Sequence, residues 1–270
     1  MYDGSTVLGG AALVGISLLA VALSGAGDRG EPFVGPDERS DSLCPSDMVW
    51  IPEGAFLGGA SPYALGIPEF VPDIPRNPRP RQERGTSSYC IDRFEAPGEG
   101  MLPRADVTWL QARAACQADG KRLCTEDEWS KACGGPLGWL LPYGDVHVPG
   151  LCHADVGVEG RYDAVRPAAN GTCASVYGVH DLEGSLSEWA EGKIEPPDPE
   201  TIMQTDEDST SRRRSGADFR LVLGGTMWPG VYGFGCQARH GHPRVAPVSG
   251  DDGYRCCRDP GPAPGPLGSK

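Results

Sequence analysis

Cysteine is the residue type best able to carry chemistry in this chain of 270 residues, which holds ten of them. Free thiols would bind metal, cycle redox state or attack a substrate. Paired thiols would be staples. The spacing favours staples. No C-x-x-C pair with a matching second pair is present, as a tetrahedral zinc site would need. Cys256 and Cys257 are adjacent, which suits two separate bridges better than one metal. Disulfides persist in oxidising compartments, and the N-terminus points the same way. From Val7 to Gly27 the chain reads VLGGAALVGISLLAVALSGAG without a charge, close to the ~20 apolar residues that cross a bilayer. The stretch reads either as a signal peptide, with Ser24-Gly25-Ala26 as a small-residue cleavage site, or as an uncleaved transmembrane anchor. No Lys or Arg precedes it, a departure from the usual signal. In both cases the body is expected outside the cytoplasm: secreted, periplasmic or membrane-anchored.

The five histidines offer less. His240-Gly241-His242 has an H-x-H spacing beside Arg239, but it reads better as a solvated loop than as a ligand pair. His147 and His153, which flank Cys152, and His180 read as local hydrogen-bonders. No nucleophile elbow, phosphate-binding loop or H-E-x-x-H motif is present. The formal net charge of −13 argues against nucleic acid as the main partner, because a phosphate-binding surface needs a basic field. Abundant carboxylates suit hard cations such as calcium.

These residues need a frame, and the clearest part of it runs from Pro103 to Gly135. Two short helices are legible there. Thr108 with Gln111, and Thr125 with Glu128, have the capping-box form, in which the threonine hydroxyl and the N3 side chain satisfy backbone N–H groups reciprocally. Glu126, Asp127 and Glu128 add negative charge at the positive end of the second helix. Gly120 and Gly134 are the expected stops with positive φ. A strand is expected over Met48–Ile51, followed by a glycine-rich turn and then a long loop from Ser61 to Gly85. Further strands are expected around Tyr89–Phe94, ending near Trp189, and over Phe219–Leu223. With 39 glycines and 26 prolines, the composition predicts a loop-rich fold rather than a bundle or a doubly wound sheet. The boundaries read as a leader or anchor over 1–27, a disordered linker over 28–43, one folded domain over 44–258 and a tail over 259–270.

In order along the body come MVWIPEGAFLGG, YCIDRFEA, VTWLQARAAC, GKRLCTEDEWSKACGG, LPYGD, YGVHDLEGSLSEWAEG, LVLGGTMW, and finally CQARHGHP and GYRCC. The combination resembles the formylglycine-generating enzyme, or sulfatase-modifying factor, family. That resemblance implies an α+β fold related to C-type lectins, with low regular secondary structure and disulfide staples. It implies the pairs Cys116–Cys256 and Cys133–Cys236. Chain order then suggests Cys44–Cys90, Cys152–Cys173 and Cys124–Cys257. It places Trp109, Trp129 and Trp189 in the core. It also implies a calcium ion near the turn before Trp189, held by the side chains of Asp181 and Glu188 and the carbonyls of Gly184 and Leu186.

The family's enzyme oxidises a protein cysteine to formylglycine with oxygen. It uses two thiols, just after a G-G-S/T turn, that bind copper(I). Here the turn is Gly224-Gly225-Thr226, and no cysteine lies between it and Cys236. Soft copper(I) needs soft thiolate ligands, so copper is not expected. Thr226, Trp228, Tyr232 and Arg239 sit where the family's substrate groove runs. Two functions are therefore open. One is a non-catalytic, calcium-stabilised binding module with a protein or peptide ligand. The other is an oxidoreductase related to the formylglycine-generating oxidase, or an enzyme of altered chemistry on the same fold. Membrane contact is expected only through the N-terminal segment, and the protein is expected to be a monomer.

Overall fold

The computed structural model describes residues 43–59, 81–148, 150–152, 173–193, 218–225, 235–243 and 252–262. The apolar stretch Val7–Gly27, nearly all of the expected linker, and the tail from residue 263 lie outside the described residues, as do His153, Thr226, Trp228 and Tyr232. No helix among the described residues is long and apolar enough to cross a membrane.

Strand β1 (Met48–Ile51) forms where the sequence offers an apolar, β-prone run, and Met48, Val49 and Ile51 are buried. It pairs antiparallel with β4 (Tyr89–Asp92). On the far side of β4 lies β10 (Cys256–Arg258), followed by β5 (Arg122–Leu123), so the sheet order is β1-β4-β10-β5. The two ends of the body thus share one sheet.

The turn and loop expected after β1 need correcting. Gly54–Gly58 is strand β2, and it pairs antiparallel with β3 (Gln82–Thr86). Glycine-rich on one side and charged on the other, this ribbon carries little of the alternating apolar pattern by which strands are recognised. What holds it is tertiary. Phe56 is 2% exposed. Lys131, buried on a helix, donates from Nζ to Pro52 O (2.6 Å), Gly54 O (3.1 Å) and Thr86 Oγ1 (3.0 Å). Burial pushes that amine down to about 8.

Helices α1 (Trp109–Ala118) and α2 (Glu126–Gly134) have the expected capping boxes. Thr108 N donates to Gln111 Oε1 at 2.9 Å and Thr125 N to Glu128 Oε2 at 2.9 Å. Gly120 follows α1 with φ +67°, as expected, but α2 stops one residue later than expected, at Gly135 with φ +65°. Gly134 is still helical. Its missing side chain serves a close approach instead, because a Cβ there would lie 2.7 Å from Trp139 O.

The third sheet has the order β8 (Arg239–Pro243), β7 (Phe219–Leu223), β6 (Ser187–Lys193) and β9 (Asp252–Gly253). The strand expected to end near Trp189 begins just before it, because Asp181, Gly184 and Ser185 have positive φ and break the extended backbone up to Ser187. Trp109, Trp129 and Trp189 are each 1% exposed. Their ring N–H groups are satisfied, as buried indoles require: Trp109 donates to Ala190 O and Trp189 to Val107 O.

The ten cysteines pair as Cys44–Cys90, Cys116–Cys256, Cys124–Cys257, Cys133–Cys236 and Cys152–Cys173, leaving none free. These are the pairs expected from the resemblance and from chain order. A native bridge contributes ~2–4 kcal/mol, largely by restricting the unfolded chain. That offsets the weakness of a fold built from short strands.

Candidate functional site

The turn 181–188 hydrogen-bonds to Gly224 and to Gly235, described residues on either side of the stretch where a substrate groove is expected from the resemblance. Asp181, Gly184 and Ser185 have φ of +58°, +76° and +56°. Glycine adopts this region freely, whereas a non-glycine residue there costs about 1–3 kcal/mol and persists only when its surroundings enforce it. The enforcing contacts are visible. Asp181 N donates to Cys173 O at 2.9 Å. Ser185 Oγ donates to Glu95 Oε2 at 2.7 Å, and Leu186 N to Glu95 Oε1 at 3.2 Å. Ser187 Oγ donates to Gly224 O at 3.3 Å. Glu183 Oε2 accepts from Gly235 N at 2.8 Å, and its Oε1 lies where a Cβ on Gly225 would come within 2.7 Å. One carboxylate therefore sits against both ends of the segment 226–234.

Glu188 stands at the start of β6 and is 1% exposed. Arg255, also 1% exposed, grips it. Glu188 Oε1 accepts from Arg255 Nη2 (2.6 Å) and Nε (2.8 Å), while Oε2 accepts from Arg255 Nε (2.7 Å) and Trp129 Nε1 (2.6 Å). Arg255 Nη2 donates in addition to His180 O at 2.9 Å. Glu95 is fully buried next to this pair. Its carboxyl is pushed well above the usual carboxylate range, first by burial and then by the negative charge of Glu188.

Of the residues expected to hold calcium, Asp181 and Glu188 are both buried on this turn, with Gly184 and Leu186 between them. Their chemistry fits a hard cation. Asp181 and Glu188 face the guanidinium of Arg255, so their negative charge exceeds its positive charge even with Glu95 left out of the count, since burial favours its neutral form. Among the described residues, no group of three or more His, Cys, Asp or Glu is placed to hold a metal ion. Calcium would therefore need backbone carbonyls as well as the two carboxylates, and would share Glu188 with Arg255.

Three of these groups escaped the sequence reading. Arg255 is legible as the arginine of the terminal GYRCC run, but only the fold puts it against Glu188. Glu95 and Glu183 carry no local signal. Of the expected groove residues, only Arg239 is described, and its Nη2 lies 3.3 Å from Glu126 Oε2, at the first turn of α2. His180 stacks on Phe94 with ring centroids 4.9 Å apart.

The Glu95 environment makes a testable statement about pH. A carboxyl whose folded pKa is raised stabilises most below its unfolded value, near 4.5, and that contribution is lost as pH rises through the folded pKa. Glu95→Gln removes the titration and keeps an acceptor for Leu186 N. With chelator present, the variant should be more stable than the parent once the pH is high enough to force charge onto the buried Glu95 carboxyl. Its denaturation midpoint should also fall less between pH 5 and 8. Parallel pH profiles for the two proteins would contradict this.

The family model for the sulfatase-modifying factor enzyme 1-like domain matches residues 95–260. The chain belongs to this family, and its fold is the α+β formylglycine-generating-enzyme type. It is 31% identical over 126 residues to the inactive C-alpha-formylglycine-generating enzyme 2 of Bos taurus, covering 44% of this chain and 40% of that one. It is 28% identical over 192 residues to the formylglycine-generating enzyme of Bos taurus, covering 63% and 49%. The chain thus spans less than half the length of either relative. The crystal structure of CarF superposes with a TM-score of 0.54 at 15% identity, over 79% of this chain and 98% of that one. That is a likeness of fold alone.

Proposed function

We propose that this chain is a non-catalytic, calcium-stabilised binding module that works outside the cytoplasm on a protein or peptide ligand. One observation carries the reading: every cysteine is bridged, and the segment after Gly225 contains none before Cys236. A thiolate copper site therefore has no ligands. Five bridges and the apolar Val7–Gly27 stretch support an oxidising location. The decisive experiment incubates the unreduced protein with copper(I), oxygen and a cysteine-containing peptide, then looks for formylglycine by mass spectrometry. No formylglycine above the protein-free control is expected. Its appearance would return the chain to the oxidoreductases.

Calcium is tested separately by melting. Saturating calcium at 100 times its dissociation constant adds about 2.7 kcal/mol, so a chelator should lower the midpoint by several degrees. Asp181→Ala loses a ligand and places alanine at φ +58°, which lowers stability with or without the ion. The readout is therefore the calcium-dependent shift, which should vanish. An undiminished shift in the variant, or none in the parent, would overturn the assignment.

A further inference from the structure

A cavity of about 600 Å³ opens between the end of β4, the loop 95–104 and the C-terminal end of α1. It is distinct from the turn 181–188 and from the segment after Gly225. Its apolar wall is made by Phe94, Ala115, Tyr254 and Met101. Phe94 and Tyr254 are buried, and Met101 is 50% exposed. This volume lies within the ~300–1,000 Å³ typical of small-ligand sites.

The charges around the cavity divide into two sets. One set is internally satisfied: Lys121 Nζ lies 2.6 Å from Asp92 Oδ1 and 2.9 Å from Asp47 Oδ2, and Asp92 Oδ2 also accepts from Cys256 N. The second set is not. Arg93, Arg104, Glu99 and Asp119 all line the cavity, and no ion pair to any of them is found among the described residues. Arg93 has only a long contact to Gly178 O, at 3.4 Å. Two guanidinium groups and two carboxylates thus rim the cavity without an ion-pair partner among the described residues, Arg104, Glu99 and Asp119 being solvent-exposed, and all four are accessible to a ligand beside the apolar wall. A simple anion would meet Glu99 and Asp119, and a simple cation would meet Arg93 and Arg104. A molecule bearing both charges and an apolar body satisfies all three features.

We propose that this cavity is a second ligand site, which takes a short zwitterionic peptide: its carboxylate on Arg104 and Arg93, its ammonium on Glu99 and Asp119, and an apolar side chain against Phe94 and Tyr254. The site does not depend on what the family groove holds or on calcium.

The test is calorimetric titration of the full chain with the tripeptide Ala-Phe-Ala, its N-acetylated form and its C-terminal amide. The free tripeptide should bind, and each blocked form should bind at least ten-fold more weakly. Arg104 and Ala118 are exposed, so Arg104→Glu and Ala118→Trp should fold normally. Arg104→Glu should weaken binding at least ten-fold, and Ala118→Trp, which fills the cavity, should do the same. No measurable binding of the free tripeptide at millimolar concentration would overturn the proposal. So would equal affinity for a blocked form, or unchanged affinity in both variants. Loss with the amide but not with the N-acetylated form would show a carboxylate site only, which also overturns it.

Discussion

Arg255→Met is expected to destabilise the domain by about 3–5 kcal/mol, because it strands the buried carboxylate of Glu188. The parent arrangement leaves neither side with a choice. Arg255 is fully inside, with 0% side-chain exposure, and Glu188 has 1%. Removing the guanidinium leaves Glu188 with Trp129 Nε1 as its remaining donor among these bonds. It also leaves Glu188 beside Glu95, whose pKa is raised first by burial and then by the charge of Glu188. The effect should appear as a midpoint lower by roughly 10 °C. The double variant Arg255→Met/Glu188→Gln separates lost attraction from stranded charge. If stranding dominates, the double variant should recover a large part of the loss, since the glutamine oxygen can still accept from Trp129. Arg255→Lys should fall in between, because one ammonium cannot copy the planar fork. A loss below 1 kcal/mol for Arg255→Met would mean that this pair is not what neutralises the core.

The second large effect concerns the paired staples at the C-terminus. Cys116–Cys256 and Cys124–Cys257 close loops of 140 and 133 residues. Taken alone, a loop that long contributes roughly 5 kcal/mol by restricting the unfolded chain. They are not independent, however. Each joins the α1–α2 region to the same short strand, β10. With one bridge intact, the other closes only about nine residues of chain, a contribution nearer ~2.6 kcal/mol by the same relation. Replacing either pair by alanines should therefore lose about 2–3 kcal/mol, and replacing both pairs about 6, because Cys133–Cys236 still shortens the remaining loop to roughly 30 residues. The loss from both should exceed the sum of the two single losses. Denaturant titrations of the three variants measure this directly. Strict additivity would mean that the unfolded chain is held by contacts other than the bridges.

These two effects fall on opposite sides of what the sequence made legible. The family resemblance implied Cys116–Cys256 and Cys133–Cys236, and the chain order and proximity of the other six cysteines suggested the remaining three bridges. Both capping boxes were visible as Thr108 with Gln111 and Thr125 with Glu128, because a cap is a local device spanning three residues. The missing thiols after Gly225 were visible for the same reason, since an absent residue type needs no fold to be recognised. The composition excluded a bundle without any structure.

Long-range relations decided the rest. Nothing near Gln82–Thr86 signals a strand; its partner Gly54–Gly58 and the clamp from Lys131 make it one. Gly134 and Gly135 are both permissive, and only the approach of Trp139 shows which one serves packing and which one stops the helix. The turn 181–188 could be located in the sequence as a candidate cation site. Its charge balance could not, because Glu95 and Arg255 come from positions 93 residues before and 67 after Glu188. Electrostatic energy depends on distance in space and on burial, and neither is a property of sequence separation. The sequence alone therefore determined how the helices start and that no cysteine lies between Thr226 and Cys236, while the bridges followed from it only with the help of the family resemblance and chain order. The tertiary structure alone determined which buried charges face one another, because their distances in space are set by the packing of segments far apart in the chain.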